Sequence, residues 1–267
     1  MKYQPKNTIE LEVLLSDESI YLGDIDTSLI TDMSCLFAND INAKHLNRKD
    51  FSGISNWDVS NVENMSSMFE NCPHFNEDIS SWDVSSVRDM SRMFVRAKSF
   101  NQPLNSWDVS SVENMMDMFI DCVSFNQPLD KWDTGSVENM ICMFAGAKSF
   151  NQPLENWDVS SVTNMSNMFY GATNFNQPLE NWNVSKVTNM SRMFAEYDGS
   201  GYGNGDMNFN QPLNNWDVSN ITNMERMFHG NRIFNQPLAS WDVSKVENMN
   251  SMFYNSGQNP RSSWYKG

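Results

Sequence analysis

Apolar positions between residues 100 and 122, F-N-Q-P-L-N-S-W-D-V-S-S-V-E-N-M-M-D-M-F-I-D-C, follow two periods in succession. Trp107 and Val109 alternate with Ser106 and Asp108, which predicts a short half-buried strand ending near Val109. Val112, Met115, Met118 and Phe119 then fall at i, i+3, i+6 and i+7, the spacing of one face of a short helix. Ser110 stands where an N-cap hydroxyl would accept a backbone N–H, and Glu113 completes a capping box. Ser60 with Glu63 and Ser244 with Glu247 repeat that arrangement, and Gly135 is a tolerated cap. Asn126, Gln127 and Pro128 turn the chain back, since proline can neither extend a helix nor donate to a ladder.

The unit recurs. Trp57, Trp82, Trp107, Trp132, Trp157 and Trp182 are 25 residues apart, and Trp216 and Trp241 resume the spacing after one insertion. Of the 20 methionines, 16 fall in an M-x-x-M-F element, from Met65 and Met68 to Met249 and Met252. A strand, a helix and a return loop of this size cannot bury their own aromatics, so neighbouring units must stack. The expected fold is an α/β solenoid, a right-handed leucine-rich-repeat-like stack of strand–helix–loop units. A parallel sheet with strands about 4.8 Å apart would form one side, and short helices the other. Residues 1–24 form a cap helix and lead-in, 25–254 the solenoid and 255–267 a tail. Within the solenoid, 25–50 is a degenerate unit with Ile25 at the Trp position and Phe37 at the Phe position, 51–254 holds eight repeats, and 196–207 is a Gly- and Tyr-rich insertion. Thr8 to Ser16 reads as the cap helix, offering Ile9, Leu11, Val13, Leu14 and Leu15 to the first unit and turning Glu10 and Glu12 to water. Trp264 or Tyr265 is expected to fold back over Phe253.

Charge narrows the partners. Asp and Glu number 33 against 18 Lys and Arg, the wrong balance for a phosphate backbone, so no nucleic acid is expected. No run approaches the roughly 20 apolar residues of a membrane span, and Glu10 and Glu12 interrupt Ile9 to Leu15, so neither membrane insertion nor a signal peptide is expected.

The string F-N-Q-P-L-x-x-W-D-V-S-x-V-x-N-M-x-x-M-F resembles the BspA-like bacterial surface-protein repeat, also called the Mycoplasma DUF285 repeat, and Gly23 to Ser34, G-D-I-D-T-S-L-I-T-D-M-S, resembles that family too. The likeness runs over roughly residues 20 to 254. It implies a leucine-rich-repeat-type solenoid, displayed on the cell surface or secreted and engaged in adhesion or other protein binding. The missing signal peptide points instead to the cytoplasm.

Candidate chemistry follows the columns that stacking creates. Asp58, Asp83, Asp108, Asp133, Asp158, Asp217 and Asp242 would form either a calcium ladder or a row of Asx-turns, each accepting from the N–H two residues on. Asn183 fills the same slot without charge, which favours the turns, and no metal is expected. Asn64, Asn114, Asn139, Asn164, Asn189, Asn223 and Asn248 are expected to form a side-chain amide ladder between units. The Trp and Met rows read as core rather than as a sugar platform or cofactor pocket, so no cofactor is expected. Cys72 and Cys122 lie two units apart, about 10 Å, and Cys35 and Cys142 lie on distant units, so the thiols should be free. His45, His74 and His229 are scattered with no nucleophile at a suitable spacing, and no enzyme is expected.

Two features break the repeat on the predicted outside. Met116 and Ile141 replace the serine seen at Ser66, Ser91, Ser166 and Ser191, and Val95, Ile120 and Tyr170 hold the slot after the Phe. Together they predict an apolar patch on the helical side, suited to a protein partner or to self-association. Tyr197 and Tyr202 make the insertion a candidate recognition loop. The reading is a non-catalytic protein-binding module, a surface adhesin or host-interaction protein. The alternatives are an intracellular scaffold or inhibitor, and a glycan-binding module using Tyr197 and Tyr202 beside Asp198 and Asp206.

Overall fold

A computed structural model describes residues 2–39, 48–196, 206–258 and 262–265. The M-x-x-M-F element is not a helix. In the first repeat, Met68, Glu70 and Cys72 donate their N–H groups to the carbonyls of Met65, Ser67 and Phe69, three residues back, at 3.1–3.2 Å. Ser67 and Asn71 have φ of 56° and 55°. Residues 65–68 and 69–72 are therefore two consecutive four-residue turns, each with a left-handed third residue, the φ signature of type II.

The N–H groups between those turn bonds leave the repeat altogether. Met65, Ser67, Phe69 and Asn71 donate to the carbonyls of Asp89, Ser91, Met93 and Val95 in the next repeat, at 2.7–2.9 Å. A left-handed non-glycine residue costs about 1–2 kcal/mol. That cost is offset because the turned peptides join rung to rung, which a helix with its N–H groups satisfied internally cannot do. We number the rungs 1 to 8 by their methionine pairs, from Met65 and Met68 to Met249 and Met252; a degenerate rung carrying Met33 and Phe37 precedes them.

The expected α/β solenoid, with its right-handed leucine-rich-repeat-like order of strand, helix and loop, is thus corrected. Among the described residues there is no sheet. Extended pairing is confined to isolated parallel bridges, one column of which runs Asp32, Asn64, Asp89, Asn114, Asn139, Asn164, Asn189, Asn223 and Asn248. The alternation of Trp107 and Val109 with Asp108 does sort inside from outside, but no backbone ladder joins the W-D-V segments. Their neighbours are held by side chains instead. Each indole Nε1 donates to a carbonyl of the preceding rung, as Trp132 does to Leu104 and Trp157 to Leu129, both at 2.9 Å.

The core is one continuous cluster from Leu11 to Phe253. Phe69, Phe94, Phe119, Phe144 and Phe169 stack at 5.5–5.8 Å between centroids. The insertion leaves the columns unbroken, with Phe194 and Phe228 5.8 Å apart and Trp182 and Trp216 6.5 Å apart across it.

The two ends are closed differently. Helix α1 (Thr8–Leu15) is capped by Asn7, whose side chain accepts from the Glu10 N–H at 3.0 Å, and it buries Leu11 and Leu15. Leu14 is partly buried, but Ile9 and Val13, expected against the first unit, are 69% and 66% exposed. At the other end Trp264 stacks on Trp241 at 6.3 Å and donates to the Leu238 carbonyl, extending the indole column, and Tyr265 meets Phe253 edge-on at 5.0 Å.

Candidate functional site

The two turns of each rung form one face of the stack, which carries the side chains at 66, 67, 70 and 71 of rung 1 and their equivalents. In rungs 2 and 3 this face is closed by charge. Arg92 bonds Glu70 at 2.5 Å and Asp117 at 3.4 Å, and Arg96 lies 3.6 Å from Asp121. Glu70, Asp117 and Asp121 are buried, and burial raises the carboxyl pKa of the two aspartates despite the guanidinium groups opposite. Gly146 on rung 4 makes room for Asp121, because a Cβ there would stand 2.2 Å from the Asp121 Oδ1, and its φ of 69° suits glycine.

Rungs 4 and 5 carry no such charges, and a cleft of about 290 Å³ opens there, lined by Arg96, Ile120, Asp121, Cys142, Ala145, Asn167 and Tyr170. Of the residues singled out by sequence, Ile120 and Tyr170 are half-buried in its wall. The ladder runs through Val95, Ile120, Ala145 and Tyr170, because Arg96, Asp121 and Gly146 donate to the carbonyls of Ile120, Ala145 and Tyr170. Val95, next to Ile120 in that column, is buried. Met116 and Ile141 are half-buried on adjacent rungs beside the cleft, the Asp117 N–H donating to the Ile141 carbonyl at 2.8 Å. Tyr197 and Tyr202 lie outside the described residues.

Sequence reasoning missed Arg96, Asp121, Cys142, Ala145 and Asn167. A signal was present: Arg92 with Asp117 and Arg96 with Asp121 are opposite charges exactly one unit apart, at slots where rung 1 has Ser67 and Asn71. Burial and the neighbouring Asp117 push the pKa of the Cys142 thiol up to about 12. Cys35, Cys72, Cys122 and Cys142 are all unpaired by disulfide.

The other columns close on themselves. Asp108 accepts from the Ser110 N–H at 3.1 Å and from its hydroxyl at 2.7 Å, and Asp83 and Asp217 accept likewise from Ser85 and Ser219. These bonds hold the Asp83 and Asp217 pKa values below the usual carboxylate range. Among the described residues no group of three or more His, Cys, Asp and Glu converges as a metal ion requires. The Asn64 row is not the amide ladder expected, because each side chain closes its own turn, as Asn64 does on the Ser66 N–H at 2.9 Å. That ladder runs instead through the F-N-Q-P segments. The Asn126 N–H donates to Asn101 Oδ1 at 2.9 Å, and Gln127 Nε2 donates to the Asn101 carbonyl at 3.0 Å. A broader open depression of about 660 Å³ runs along Ser106, Trp107, Asp108 and Asp133, and its indole is buried. No helix among the described residues is long and apolar enough to cross a membrane.

A family model described as Mycoplasma protein of unknown function, DUF285, matches residues 15–128, 39–151, 103–200 and 200–265. No curated protein matches the chain, and no solved structure does.

Proposed function

Because the chain belongs to the Mycoplasma family DUF285, whose function is unknown, we propose its role from geometry: a non-catalytic scaffold that binds a protein partner on the turn face of rungs 3 to 5. One observation carries this reading. On that face Met116 and Ile141 replace, in two consecutive rungs, the serine found at Ser66, Ser91, Ser166 and Ser191, beside a cleft walled in part by Ile120, Ala145 and Tyr170. A half-buried apolar surface beside a concave site is the kind of contact that partner proteins use. The chemistry at hand supports binding rather than turnover, since the buried carboxylates are engaged by arginines and the thiol of Cys142 stays protonated.

The test is the pair Met116→Glu and Ile141→Glu. Glutamate is compatible with this column, because Glu225 occupies it in rung 7. The double variant should keep the wild-type melting temperature while losing on the order of thirtyfold or more in affinity for a captured partner, as expected of a hot spot. If wild type and variant retain the same proteins with equal affinity, the reading fails.

A further inference from the structure

Seven large apolar side chains stand exposed among the described residues, and five of them, Tyr3, Ile9, Val13, Tyr21 and Leu29, belong to the N-terminal end. Two of these share α1 with the buried Leu11 and Leu15. At 3.6 residues per turn, Ile9 and Val13 form a stripe about 180° around the helix from Leu11 and Leu15. The inner stripe is 0–1% exposed and the outer one 66–69%. A surface helix normally turns one apolar stripe inward and polar residues outward, whereas apolar residues on opposite sides mark a helix covered twice. The stack supplies the first cover.

We propose that the second cover is the α1 of another copy of this chain, packed antiparallel about a two-fold axis. Ile9 of one copy then meets Val13 of the other, so the same stripe serves both sides, as an isologous contact requires. The flanking charges select the direction. Lys6 lies exposed before the helix, and Asp17 and Glu18 lie exposed after it. Antiparallel packing brings each Lys6 to the acidic end of its neighbour, while parallel packing sets Lys6 beside Lys6. Glu10 and Glu12 flank the stripe, and the Glu10 carboxylate is tied back to the Lys6 N–H at 2.9 Å. This surface shares no residue with the turn face of rungs 3 to 5, so the two readings stand or fall separately.

Sedimentation equilibrium of the full chain over about 1–100 µM tests the contact. Wild type should be dimeric and Ile9→Glu/Val13→Glu monomeric, with an unchanged circular-dichroism spectrum because both side chains are exposed, and with a lower melting temperature only at concentrations where the wild type is dimeric. Lys6→Glu should weaken the dimer about tenfold, and adding Glu18→Lys should restore it, a coupling that a non-directional apolar contact would not show. A wild type that stays monomeric overturns the proposal and leaves the stripe to another occupant. A dimer that survives both glutamates overturns it too, as does open-ended growth abolished by Tyr254→Ala, which would place the contact head to tail.

Discussion

Rungs 2 and 3 and rungs 4 and 5 share one backbone, yet the first two pair arginine with aspartate across their turn face while the second two leave their own slots uncharged and open to a cleft. In both, the ladder bonds, the left-handed third residues and the stacked phenylalanines are the same. Only the side chains at the outward slots differ. The comparison teaches that in this stack the repeating positions carry stability and the non-repeating ones carry identity.

Phe119→Ala should break both regions at once. Its ring is fully buried, 5.6 Å from Phe94, 5.5 Å from Phe144 and 4.3 Å from Phe125, so its loss should cost about 3–5 kcal/mol in urea unfolding. Arg92→Ala should act on the charged face of rungs 1 to 3 and leave rungs 4 and 5 alone, stranding Glu70 and Asp117. Removing one partner of a buried pair is costly, but Arg92 is 46% exposed, so screening lowers the expected loss to about 1–3 kcal/mol. Gly146→Ala sits at the border between the two regions. Its φ of 69° and the carboxylate of Asp121 above it predict a loss of about 1–2 kcal/mol, with Asp121→Asn unable to relieve the backbone share.

The smallest effect is one of pH. Asp117 and Asp121 have folded pKa values above the ordinary 3.8, so their contribution is complete below that value and declines as pH rises through the folded pKa. Asp158, bonded to Ser160, has a lowered pKa and behaves oppositely, contributing above 3.8 and losing its share as pH falls through the folded value. Urea midpoints measured across pH should therefore show Asp117→Asn flattening the decline on the alkaline side of 3.8, and Asp158→Asn flattening the acid loss. Identical slopes in both variants would erase the distinction between the buried and the exposed aspartates.

Much of the site was legible as departures from the repeat. Met116 and Ile141 stood out because serine fills the same slot at Ser66, Ser91, Ser166 and Ser191, and of the residues read beside them in the slot after the Phe, the structure places Ile120 and Tyr170 in the cleft wall. Val95 was misplaced, since outwardness was inferred from helical phase and no helix forms there. Cys142 and Asn167 were invisible because turns, not a helix, bring them to the cleft.

From its residues alone this chain determined the 25-residue unit, the membership of the Trp, Met and Phe columns and the place of α1, because burial depends on spacing and side-chain type. Whether Met65, Met68, Phe69 and Cys72 ride on a helix or on two turns was settled only by stacking. Spacings of three and four bury the same four side chains in either form, and what separates them is whether alternate N–H groups find carbonyls on the next rung, a partner that exists only once the rungs are stacked.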